Sequence, residues 1–183
     1  MDVHVLVPLK RLDVAKSRLA SVMPTEARSV FMREMLDHVL AAIAEAGFQR
    51  VTIVTGERLD GLPVWDDNGL PWNDALAAAM DAVVAEDVVA IVSADLPLLT
   101  ASDVLALVEA TPARGIAIAR ALDGGTNALS MRPAKLVTTQ FGVQESASVH
   151  AALGVPSIIV DLPGLAFDID TPADLQRLRG ESV

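Results

Sequence analysis

The chain has no cysteine and no tyrosine, and aromatic residues make up only 3% of its 183 positions. Without cysteine there is no disulfide framework, no thiolate metal site and no thiol nucleophile. That fits a reducing cytoplasm, where the chain is expected to work. With so few aromatics in a sequence that is 52% apolar, Ala, Val and Leu must fill the core, which favours α/β layering. Basic residues are also scarce: 14 Lys and Arg stand against 24 Asp and Glu, for a formal net charge of −10. A broad nucleic-acid surface needs many cationic contacts to phosphates and is excluded by this balance, whereas a single nucleotide needs only a few. No apolar run approaches the roughly 18 residues of a membrane span, so no membrane partner is expected. Met1-Asp2-Val3 carries no basic n-region, so no signal peptide is expected either. The length suits one domain, 1–183, able to bury a real core.

Scarcity makes the position of the cations informative. The apolar run Val3-Val7 breaks at Pro8 and opens into a loop that carries Lys10, Arg11, Lys16 and Arg18. Ligands of open α/β sheets sit just beyond the carboxyl ends of the strands. Two readings stay open here: an anion site for a phosphate-bearing ligand, or a solvated loop whose cations offset acidic neighbours. The loop matches neither GxxxxGK[ST] nor GxGxxG, so neither a P-loop nor a dinucleotide fingerprint is present.

Periodicity sets out the elements. Val3-Val7 barely alternates, as expected of a strand buried on both faces. Phe31, Met32, Met35, Leu36, Val39, Leu40 and Ile43 repeat at helical spacing within a helix over about Thr25–Ala46, with Gly47 as its stop. Val51-Val54 reads as a strand, Trp65-Trp72 as turn-rich chain, and Asn73 to about Glu86 as an alanine-rich helix. Val88-Val92 is a further buried strand. Thr100 caps a helix to about Ala110, with Asp103 at the capping-box position. Ile116-Ala119 and Ala128-Met131 read as strands around Asp123-Gly124-Gly125-Thr126, and Ser157-Val160 as another. Thr171-Pro172 starts a last short helix. Alternating strands and helices imply a mainly parallel sheet with helices on its faces, and the Gly-rich break after residue 120 implies an antiparallel insertion.

Several residues could carry chemistry. Asp95 follows Val88-Val92, where a carboxylate can hold a divalent cation against phosphates, or simply serve a turn. Asp168 and Asp170 share a face of an extended segment and can share a cation, or favour the following helix through its dipole. Thr126 and Asn127 follow glycines that allow close backbone approach, in what also reads as a hairpin turn. Ser146 can cap the next helix. It stands four residues from His150, but no GxSxG elbow surrounds it, so a catalytic triad is not expected. His4 and His38 read as structural or solvent-facing.

Taken in order, VPLK-x5-KSRLA, NDAL at Asn73, SADLPLLT around Asp95, DGGTNALSMRP, FG with Ser146 and His150, and DIDTPADL closely resemble the 2-phospho-L-lactate/phosphoenolpyruvate guanylyltransferases. These enzymes act in biosynthesis of the deazaflavin coenzyme factor 420. The resemblance runs from about residue 3 to residue 179, and DGGTNAL is its most diagnostic part. It implies a single-domain nucleotidyltransferase fold, GT-A-like and Rossmann-type, with a mixed, mainly parallel sheet and helices on both faces. It implies GTP, Mg²⁺ and a small phosphorylated carboxylic acid whose phosphate oxygen attacks the α-phosphorus of GTP and expels pyrophosphate. By position, Pro8, Lys10, Lys16 and Arg18 would hold the nucleotide, and Asn73 would contact the nucleoside. Asp95, Asp168 and Asp170 would hold Mg²⁺. Thr126, Gly142 and Ser146 would contact the acid, and Lys10, Lys16 and Asp95 would serve the reaction. Gly142 to Ser146 is one residue longer than the family's usual spacing, and Pro71-Trp72 stands where Gly-Leu is commoner.

Alternatives on the same fold are the same reaction on 3-phospho-D-glycerate, a related transfer such as molybdopterin guanylylation, or a non-catalytic nucleotide-binding domain. The first loop lacks the GGxSxRxG-type pattern of the molybdopterin and sugar relatives. Apolar helix faces allow a homodimer.

Overall fold

The computed structural model describes residues 2–84 and 87–180. Seven strands form one sheet: β1 (Val3–Pro8), β2 (Arg50–Val54), β3 (Val64–Trp65), β4 (Val88–Val92), β5 (Gly115–Arg120), β6 (Thr126–Arg132) and β7 (Ser157–Val160). Their spatial order is β3-β2-β1-β4-β6-β5-β7. Only β6 runs antiparallel to its neighbours, β4 and β5; the other pairings are parallel. The mixed, mainly parallel α/β sheet is therefore present, and the glycine-rich break is the turn that reverses the chain into β6.

The unalternating apolar runs have a simple cause. Val3, Val5 and Val7 of β1 enter one core with Val88, Ala90 and Val92 of β4. Leu6 enters the opposite core with Val89 and Ile91. Successive side chains point to opposite faces, and both faces are covered. On the first face lie α1 (Thr25–Glu45) and α3 (Ala101–Glu109), which bury Met32, Met35, Leu36, Val39, Ile43, Val104 and Leu107. On the second lie α2 (Trp72–Val83) and α4 (Ser146–Ala151), which contribute Leu76, Ala79, Met80 and Ala147. A four-residue turn α5 (Pro163–Ala166) and α6 (Pro172–Arg179) complete the chain.

Local signals placed most boundaries. Thr100 and Asp103 form the expected capping box of α3. Thr171 caps α6 with Pro172 in its first turn, and Asp174 completes a second capping box. Gly47, at φ 87°, ends the α1 segment. Three elements escape the sequence because they are too short for periodicity, among them a single 3₁₀ turn over Ser17–Leu19. β3 is two residues paired with Ile53 and Val54, inside the stretch that reads as turns, and α5 is a single turn. Ala85 and Glu86, the expected end of the alanine-rich helix, lie outside the described residues.

One cap expectation is corrected. Ser146 is the first residue of α4, not its cap. Glu145 precedes it in the left-handed region, at φ 53°, with no capping hydrogen bond. This turns the Ser146 side chain into the core, where it is 1% exposed. Among the described residues, no helix is long and apolar enough to cross a membrane.

Candidate active site

The last residues of β1 and β4 leave the sheet at one edge. Because β6 is antiparallel, its first residues, Thr126 and Asn127, arrive at that same edge; the Ser93 N–H donates to the Asn127 carbonyl at 2.9 Å. A cavity of about 290 Å³ opens there. Its walls include Pro8, Lys10, Lys16, Asp95, Thr126, Gly142, Asp168 and Asp170, so residues from five separate stretches of sequence meet in one place. A larger, shallower groove of about 870 Å³ lies beside the 121–124 turn and contains none of these residues.

The first loop is anchored rather than loosely solvated. Arg28 of α1 is buried and donates to the carbonyls of Ala15 at 3.3 Å and Met23 at 3.0 Å. Ser29 donates to the Leu12 carbonyl, and the Leu12 N–H donates to Glu57 at 2.9 Å. Held this way, the loop delivers Lys16 inward, its side chain only 5% exposed. The Lys16 ammonium bonds Asp95 at 2.5 Å and Asp170 at 2.9 Å. Lys10 is exposed and lies over the Trp72 ring, 5.6 Å from its centre, within cation–π range. Arg18 reaches Asp170 at 3.4 Å from an exposed position. Arg11, the fourth cation of the loop, pairs with Asp13 at the surface instead.

The carboxylates are positioned by their own neighbours. One oxygen each of Asp95, Asp168 and Asp170 lie within 4.8 Å of one another. The Asn127 amide donates to Asp168 at 3.2 Å and to the Leu165 carbonyl at 3.0 Å. The Asp170 N–H is held by Asp174 of the α6 capping box. Burial, then the charge of Asp95, pushes the Asp168 carboxyl up to about 6, against the opposing effect of the Asn127 bond. Asp170 is also partly buried, but the charge and hydrogen bond of Lys16, with Arg18 and Lys10, outweigh that and lower it. For Lys16, burial disfavours the ammonium, yet Asp95 and Asp170 more than compensate and its pKa is raised. Three crowded hard oxygen donors, one of them reluctant to ionise, form a set that suits a divalent cation such as Mg²⁺ or Mn²⁺.

Three expected contacts sit differently. Asn73 spends its side-chain amide on the Phe141 backbone, accepting from its N–H at 2.9 Å and donating to its carbonyl at 3.0 Å. That clasp fixes the turn through Gly142, whose φ of 77° suits glycine. Ser146 is buried behind Thr126 and donates to its hydroxyl at 3.1 Å, so it does not itself wall the cavity. Arg18 lies at the rim. Arg28, which anchors the loop, and Trp72, which lies under Lys10, carry no signal of these roles in the sequence, whereas Asn127 and Phe141 stand in the DGGTNAL and FG motifs.

Comparison with known proteins follows the same lines. The family model described as "Guanylyl transferase CofC like" matches residues 3–180. The phosphoenolpyruvate guanylyltransferase of Sphaerobacter thermophilus is 37% identical over all of this chain and 95% of the relative. That of Rubrobacter xylanophilus is 36% identical, covering 97% of this chain and 94% of the relative. Among solved structures, a nucleotidyl transferase from Methanothermobacter superposes with a TM-score of 0.67 at 16% identity, covering 97% of this chain and 96% of that one. The 2-C-methyl-D-erythritol 4-phosphate cytidylyltransferase of Thermus thermophilus does so at 0.64 and 19%, covering 98% of each. These last two likenesses carry the fold.

Proposed function

This chain belongs to the CofC-like guanylyl transferase family, and from that premise we propose that it joins GMP from GTP to phosphoenolpyruvate, on the route to the deazaflavin coenzyme factor 420. It is a nucleotidyltransferase by family. The observation that carries the reading is Lys16, buried between Asp95 and Asp170 in the wall of a cavity that Asp168 and Thr126 also line. Cations and metal-ligating carboxylates stand together there, as a triphosphate requires.

In the reaction, a phosphate oxygen of phosphoenolpyruvate attacks the α-phosphorus of GTP and forms a new P–O–P bond. The bond from that phosphorus to the bridging oxygen of the β-phosphate breaks, and pyrophosphate leaves with its electron pair. The attacking oxygen is already anionic, so no general base is needed. The protein must align two polyanions and neutralise charge that grows on the leaving group. Lys16 and Arg18 lie where they can meet the triphosphate, and Lys10 enters from the Trp72 side. Thr126 and the Gly142 turn face the acid. Asp95, Asp168 and Asp170 would hold Mg²⁺, which when bound supplies fixed positive charge beside the phosphates.

The test is direct. Purified protein is given GTP and Mg²⁺ with phosphoenolpyruvate, 2-phospho-L-lactate or 3-phospho-D-glycerate, and pyrophosphate is followed. Release with phosphoenolpyruvate is expected, and CTP or UTP should not replace GTP. Release only with another acid would reassign the acceptor, and none with any acid would remove the reading.

A further inference from the structure

His150 is fully buried on α4 and takes no part in the reaction described above. Its ring links two walls of the cavity. Nε2 accepts a hydrogen bond from the Gln140 N–H at 2.8 Å, and Nδ1 lies 3.0 Å from the Thr126 hydroxyl oxygen. A backbone N–H can only donate, so Nε2 must carry the lone pair. In a neutral imidazole the proton then sits on Nδ1, and Nδ1 donates to Thr126. Burial holds the imidazole below its ordinary pKa, opposed by the Ser146 backbone, whose carbonyl is a second acceptor for the same Nδ1–H.

This arrangement bars the Thr126 hydroxyl from donating to the ring. Its oxygen receives the Nδ1–H bond and a second from Ser146 at 3.1 Å, which fills both lone pairs. Its own hydrogen cannot go to His150, whose facing nitrogen already bears a proton. Thr126 lines the cavity, which leaves that hydrogen for an acceptor placed there. The far side of the ring meets the turn that carries Gly142. Phe141 packs edge-on against His150, 5.4 Å between ring centres, and Gln140 is bonded to it directly.

We propose that His150 is a positioning residue: through Nδ1 it makes the Thr126 hydroxyl an obligate donor to an anionic oxygen of the acid, and through Nε2 it holds the 140–142 turn against the same ligand. The proposal rests on the reading of Thr126 as an acid contact, and its test separates the two. In the unliganded wild-type protein, ¹⁵N-resolved imidazole spectra should show His150 in the Nδ1–H tautomer at neutral pH. The Nε2–H tautomer would overturn the proposal whatever the substrate proves to be. In kinetics, His150→Ala should raise KM for the acid about tenfold or more while KM for GTP stays within about twofold. His150→Asn places an amide donor near the Nδ1 position and should recover most of that loss. Where His150→Ala does not fold, His150→Gln combined with Thr126→Val decides, because Gln offers an acceptor near the Nε2 position for the Gln140 N–H and no donor at the Nδ1 position. In the Thr126→Val background the His150→Gln change should be nearly silent in KM for the acid, because the turn is still held and no hydroxyl remains to orient. Full additivity in that cycle, or equal rises in both KM values, would overturn the proposal. An absence of turnover with any acid would remove the functional reading and leave the tautomer measurement to decide the arrangement.

Discussion

The Lys16 ammonium lies 2.5 Å from Asp95 Oδ2, across 79 residues of sequence, and also bonds Asp170. It supplies these carboxylates with positive charge from the protein itself. Removing it should therefore matter before any substrate binds. Lys16→Met is expected to destabilise the chelator-treated protein by about 2–4 kcal/mol, less than a fully buried pair because Asp170 is 44% exposed. Added Mg²⁺ should recover part of the loss, and turnover should fall at least about 100-fold. Thermal unfolding with and without chelator checks this. An unchanged melting temperature would show that the pairing carries no stability.

Asp95 faces both Lys16 and the other carboxylates. Asp95→Asn keeps the shape, leaves Lys16 paired with Asp170, and should lower turnover by about 100–1,000-fold while the melting temperature moves little. The same change removes the second-largest cause of the Asp168 shift, so Asp168 should then titrate lower. Carboxyl ¹³C titration of the variant and wild type measures that directly. An Asp168 titration identical in both proteins would contradict the crowding.

Asp168 makes the metal-free protein pH-sensitive in a definite direction. Its folded value is raised to about 6 from 3.8, so between these values the folded state binds more protons than the unfolded state. Stability of the metal-free protein should therefore fall as pH rises through that window. Asp168→Asn should remove the slope and raise the metal-free Tm above pH 6 by roughly 2–4 °C, for about 1 kcal/mol. Divalent cation should compete with the Asp168 proton, so its apparent affinity should weaken below about pH 6. Melting curves across pH in chelator and in Mg²⁺ test both statements.

Asn73 makes both of its amide bonds to the Phe141 backbone. Asn73→Ala should loosen the turn at Gly142 and cost about 1–2 kcal/mol for two lost bonds. KM for the acid should rise about tenfold, and more than KM for GTP. A rise confined to GTP would instead make Asn73 a nucleoside contact. Parallel titrations of the two substrates distinguish the outcomes.

The sequence by itself determined the layering. Uninterrupted apolar runs such as Val88-Val92 require cover on both faces, and the Thr100 and Thr171 caps mark helix starts through hydrogen bonds within four residues. It also carried the ordered motifs that name the family, because those motifs are local strings. Only the tertiary structure decided how the residues combine. The inward turn of Lys16 depends on Arg28 and Glu57, which reach the loop from other elements. The use of Ser146 depends on the left-handed backbone at Glu145. The coupling of Asn73 to Phe141 and of His150 to Gln140 and Thr126 depends on which segments meet at one sheet edge. Spacing along a chain reports contacts made within a few residues, but these bonds span from 10 to 79 residues. Parallel pairing of β1 with β4 put the loops of Lys16 and Asp95 side by side, and antiparallel β6 brought Thr126 to the same edge.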